Sequence, residues 1–95
     1  MSGHVFHPGH EELHGVTVVL DDRDGRTYVG RYHEATARGV VLHDVAVREA
    51  AAEGPDRKAW LKRQLKFGVQ VGHRTLVVPK EATVGPIVRL LDLTL

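Results

Sequence analysis

Three groups of side chains in this chain have types and spacings that can do chemistry. The first is His10-Glu11-Glu12-Leu13-His14. On a helix, H-E-x-x-H sets two imidazoles on one face for zinc and leaves a glutamate to act as base. No sheet precedes this motif and no clear third ligand follows it. A domain of ninety-five residues is also small for a substrate cleft. Peptidase chemistry is therefore not expected, and a solvated polar helix is the plainer reading. Zinc at His10 and His14 stands as a secondary expectation, with His4 and His7 as further imidazoles nearby.

The second group is the basic run from Arg57 to Lys66, where Arg57, Lys58, Lys62, Arg63 and Lys66 face a single acid, Asp56. On a helix Lys58, Lys62 and Lys66 share one face at four-residue spacing. Trp60 and Phe67 are interleaved with them. Cations of this kind grip a phosphate backbone while an aromatic stacks on a base. The expected nucleic-acid contacts are Arg57, Lys58, Trp60, Lys62, Arg63 and Lys66. The plain alternative is a solvated charged face, with Trp60 capping the core.

The third group, Asp21, Asp22 and Asp24, clusters three carboxylates before Gly25. Calcium would want such oxygens, but the spacing is not that of a calcium loop, and Asp-Gly is hairpin-turn chemistry. His33-Glu34 and His43-Asp44 have no nucleophile arranged beside them in sequence. No glycine-rich phosphate loop is present. The chain is expected to bind rather than to catalyse.

The elements that must position these groups read mainly as strands. Val16 to Leu20 is apolar apart from Thr17, as in a strand covered on both faces. Asp24-Gly25 turns the chain, and Thr27 to Tyr32 resumes as a strand in which Gly30 marks a sharp bend or the close approach of another backbone. Val40 to Val47 is a third strand, with Val41, His43, Val45 and Val47 on one face. Leu65, Phe67, Val69 and Val71 alternate with polar or glycine positions, which predicts a further strand there. Thr75 to Val78 and Ile87 to Leu93 complete the set. Residues 7–15 can form a short helix, with Pro8 in its first turn and Gly15 at its end. Residues 49–72 form an enlarged loop or an extra hairpin.

Composition bounds the rest. The length suits one domain over residues 1–95, with a modest core built from Val and Leu, because only five residues are aromatic: Phe6, Tyr28, Tyr32, Trp60 and Phe67. A core this small gains from burial between subunits, so a homo-oligomer is expected. There is no cysteine, which removes disulfides and thiolate metal sites. No apolar run approaches membrane-spanning length and no signal-peptide pattern opens the chain, so the expected location is cytoplasmic, with no membrane partner. The net charge of +1 gives no global argument for nucleic acid.

The order of these elements resembles the Sm-like family of small, strongly bent antiparallel barrels of SH3 type. The matching residues are Leu13-His14-Gly15, then V-T-V-V-L from Val16, the Asp24-Gly25 turn, Tyr28-Val29-Gly30, V-V-L-H-D-V from Val40, and I-V-R-L from Ile87. The resemblance covers most of the chain outside residues 49–72. It implies a five-stranded barrel and self-assembly into a ring, in a family with RNA-binding members. The family's RNA-pocket motifs are missing. Glu34-Ala35-Thr36-Ala37-Arg38-Gly39 and Val77-Val78-Pro79-Lys80-Glu81 stand in their places. The expected function is thus an Sm-like oligomeric module that binds RNA or single-stranded nucleic acid through its basic segment. The alternative is a protein-interaction or structural barrel with no nucleic-acid role. A histidine-dependent metal-binding protein ranks behind both.

Overall fold

The computed structural model describes residues 13–50 and 54–94. Five strands, β1 (Thr17–Asp22), β2 (Thr27–Ala35), β3 (Gly39–Arg48), β4 (His73–Pro79) and β5 (Thr83–Arg89), form one sheet. Every pairing is antiparallel and the spatial order is β4-β3-β2-β1-β5. One α-helix, α1 (Arg57–Phe67), lies between β3 and β4 in sequence. Short 3-10 turns follow β4 (Lys80–Ala82) and β5 (Leu90–Asp92). The chain is therefore mainly β, as expected. Among the described residues β4 and β5 pair with nothing on their outer sides, so the sheet is open.

Alternation along β1 and β2 divides the apolar residues between two cores. Val18, Leu20, Tyr28 and Tyr32 point to one face, where Leu42, Val45 and Val78 join them. Val19 and Val29 point to the other, where Leu61 of α1 and Leu90 cover them. The unbroken apolar run in β1 has this cause: both of its faces are buried.

Gly30 is where the sheet's register changes. Arg31 pairs with His43 and Val29 with Ala46, so Asp44 and Val45 together oppose Gly30 as a bulge. A Cβ on Gly30 would lie 2.9 Å from Val45 Cγ2 and 3.2 Å from the His43 carbonyl oxygen. The expected close approach at this glycine is thus present. Asp44 takes φ +54, in the left-handed region, and its carboxylate pairs with the Arg31 guanidinium across the bulge. The bulge also corrects the expected faces of β3. Val45 and Val47 sit with Val40 and Leu42 in the same core, because the extra residue at Asp44 moves everything after it by one position.

Residues 49–72 also differ from expectation. In place of a hairpin they carry α1, capped at its start by the Asp56 carboxylate accepting from Ala59 N–H at 2.8 Å. Leu65 and Phe67 complete its last turn and are exposed, so their alternation with Val69 and Val71 does not make a strand. Gly68, at φ +88, ends the helix. The last strand begins at Thr83 rather than Ile87, and the residues after Arg89 turn away in a 3-10 turn that buries Leu90. The helix expected over residues 7–15 lies outside the described residues, apart from a turn at 13–15.

Candidate nucleic-acid interface

The placement of α1 decides what its side chains can do. Leu61 and Gln64 are buried against the sheet and Trp60 packs beside them onto Val19, Val29 and Leu90. Gln64 Oε1 accepts from the Gln70 N–H at 2.9 Å, which ties the chain after the helix back to it. At the other end Arg57 donates through Nε and Nη2 to the two Asp21 carboxylate oxygens, at 3.0 and 2.9 Å. The inward stripe is therefore 57, 60, 61 and 64, the i, i+3, i+4, i+7 pattern of a helix lying on a sheet.

The six residues expected to contact nucleic acid divide accordingly. Lys58, Lys62, Arg63 and Lys66 are exposed on the outer side of α1. Among the described residues none of these four has an ion-pair partner. Arg57 is committed to Asp21, and Trp60 is half-buried in the second core. The aromatic that does face solvent is Phe67, 68% exposed, with Lys66 Nζ 5.4 Å from its ring centroid. The stripe at 57, 60, 61 and 64 was the sequence signal that separates Trp60 from Phe67.

The aspartates of the β1–β2 hairpin are structural. The buried Asp22 carboxylate accepts from the Tyr28 hydroxyl at 2.6 Å and from the N–H groups of Asp24 and Arg26, each at 2.9 Å. Burial alone would raise the Asp22 carboxyl; these hydrogen bonds outweigh it and hold the group below its ordinary value. Burial and the neighbouring carboxylate push the Tyr28 hydroxyl up to about 12. Asp21 accepts from the Thr27 hydroxyl as well as from Arg57, and Asp24 pairs with Arg26.

Of the expected zinc pair, His10 lies outside the described residues. His14 Nδ1 is 2.7 Å from the His33 carbonyl oxygen, to which it donates. The His14 ring lies against His33, which in turn lies against His43, with centroids 5.4 and 4.6 Å apart. Among the described residues no three histidine, aspartate or glutamate side chains are grouped to hold a metal ion. No described helix is long and apolar enough to cross a membrane.

Cavities among the described residues flank the sheet. One, of about 580 Å³, lies beside the end of α1 and is lined by Val16, Gln64, Leu65, Val69, Leu90 and Leu91. Another, of about 440 Å³, lies at the β2–β3 loop and the start of β5, against Leu20, Thr36, Val40, Lys80 and Ile87. There the Lys80 N–H donates to the Arg38 carbonyl at 3.2 Å, which joins the β2–β3 loop to the turn after β4.

Comparison with protein-family models, curated proteins and solved structures yields no match for this chain.

Proposed function

We propose that this protein is an Sm-like, SH3-type small barrel that self-associates and binds RNA or single-stranded nucleic acid, in the cytoplasm, through the outer face of α1. The observation that carries the ligand is the division of the helix. Its inner side is held by Leu61, Gln64, Trp60 and the Arg57–Asp21 pair, while Lys58, Lys62, Arg63 and Lys66 stand exposed with no ion-pair partner among the described residues. Cations left unneutralised on one face attract a polyanion, and the counterions it releases drive binding.

Self-association is supported by the two open edges, β4 and β5, at opposite ends of the strand order. Open edges invite pairing with a second copy. Each carries an exposed valine, Val77 on β4 and Val84 on β5. Ring assembly would pair one edge with the other, head to tail.

The apolar cavity beside α1, with Leu91 86% exposed next to it, favours a second reading: a barrel that docks protein alone. Two measurements separate the readings. Fluorescence anisotropy of a labelled 12-nucleotide RNA at low salt should rise with protein, and much less with a Lys58→Gln, Lys62→Gln, Lys66→Gln variant. Absence of any rise removes the nucleic-acid reading. Light scattering should give a mass of several subunits, and a monomer at tens of micromolar removes the ring.

A further inference from the structure

On the reading that the outer face of α1 binds nucleic acid, we infer that Phe67 is the platform on which an unpaired base stacks, so that the site takes single strands in preference to duplex. Among the described phenylalanine, tyrosine and tryptophan side chains Phe67 is the one turned to solvent; Tyr28 and Tyr32 are buried and Trp60 is half-buried in the second core. It closes the basic helix, one turn after Arg63 and beside Lys66. The ammonium group of Lys66 sits 5.4 Å from the ring centroid, within reach of a cation–π contact. Directly after Phe67 comes Gly68, around which a Cβ would meet nothing within 4 Å. The chain position that follows the ring is therefore uncrowded.

The spacing suits a strand lying along the helix. Lys58, Lys62 and Lys66 follow one another at about 6 Å intervals, from the rise of 1.5 Å per residue. Phosphates gripped by this row carry their bases toward the end of α1, where Phe67 offers a π-face. Every base has such a face, so the platform tolerates any sequence but requires an unstacked base. A duplex keeps its base faces covered and meets only the lysines.

The test compares a labelled oligo(A) 12-mer with a 12-base-pair RNA duplex, using wild type, Phe67→Ala, Phe67→Trp and the double variant Lys62→Gln, Lys66→Gln. Phe67→Ala should weaken oligo(A) binding about 5- to 150-fold while duplex binding stays within about twofold. Phe67→Trp should restore oligo(A) binding, and neither change should alter the salt dependence. If Phe67→Ala binds oligo(A) like wild type while the lysine variant is weakened, the platform is wrong and the basic face stands. If wild type binds neither probe at low salt, both fall together. A Phe67→Ala protein that loses its oligomeric state by light scattering makes Phe67 a subunit contact and overturns the inference. Because Phe67 is exposed, the variant's melting temperature should match wild type, which keeps these outcomes readable.

Discussion

Arg57 grips Asp21 with two parallel hydrogen bonds, Nε to Oδ1 at 3.0 Å and Nη2 to Oδ2 at 2.9 Å. The first basic residue of α1 thereby becomes part of the attachment between helix and sheet, while its neighbours keep their charge for other uses. Both partners remain partly exposed, so solvent screens the pair and its contribution is about 1 kcal/mol or less.

Two kinds of basic residue are therefore expected on one helix. Arg57→Ala should lower stability by about 1 kcal/mol or less in urea unfolding and leave RNA affinity within about twofold. Lys62→Gln should do the reverse, with stability unchanged and affinity reduced. Paired urea and anisotropy titrations check this; equal affinity losses for the two variants would mean that Arg57 also faces the ligand.

At Gly30 an added methyl group would meet Val45 Cγ2 at 2.9 Å and the His43 carbonyl oxygen at 3.2 Å. Gly30→Ala should therefore destabilise by about 1–3 kcal/mol, the ordinary range for overpacking. Adding Val45→Ala relieves the side-chain contact but not the carbonyl contact. If the side-chain contact dominates, the double variant should be less destabilised than the sum of the two single costs; if the carbonyl contact dominates, the two costs should add. Chemical denaturation of both single variants and the double variant measures that coupling.

The Asp22–Tyr28 pair gives the fold a pH dependence of known sign. Asp22 has its carboxyl lowered in the folded state, so its stabilisation is present above the ordinary carboxylate range near ~3.9 and is lost as pH falls through the lowered folded value. Tyr28, pushed up to about 12, contributes stability below its ordinary value near ~10 that is lost as pH rises from there through 12. Tyr28→Phe should cost about 1.5–3 kcal/mol at pH ~7, the range for a hydrogen bond to a charged group. Its acid-unfolding midpoint, followed by circular dichroism, should move to higher pH. An unchanged midpoint would mean that the backbone N–H groups of Arg26 and Asp24 suffice to hold the charge.

The sequence was informative where a residue's reason is local. The both-faces-apolar run of β1, the Asp24-Gly25 turn and the tight passage at Gly30 each follow from residue type and short spacing. The β3 faces did not, because the bulge at Asp44 depends on pairing with β2, and a one-residue shift reverses every later assignment. The stretch from Leu65 to Val71 fits both periods: its alternation reads as strand, yet burial of Leu61 and Gln64 one turn earlier carries the helix through Phe67. The candidate site was legible as a basic run but not as an oriented one. Which aromatic faces out depends on the inner stripe and on Asp21, thirty-six positions away from Arg57. The row of His14, His33 and His43 likewise arises only when β2 and β3 pair.

The most direct test of the basic face is the slope of log Kd against log salt concentration for a labelled single-stranded RNA. Each phosphate contact contributes about 0.7 to that slope. Replacing Lys58, Lys62 and Lys66 together by glutamine should therefore flatten it by about 2, with stability and subunit number unchanged. A variant whose slope equals that of wild type, or a wild-type protein that fails to bind at low salt, would contradict a nucleic-acid role for α1.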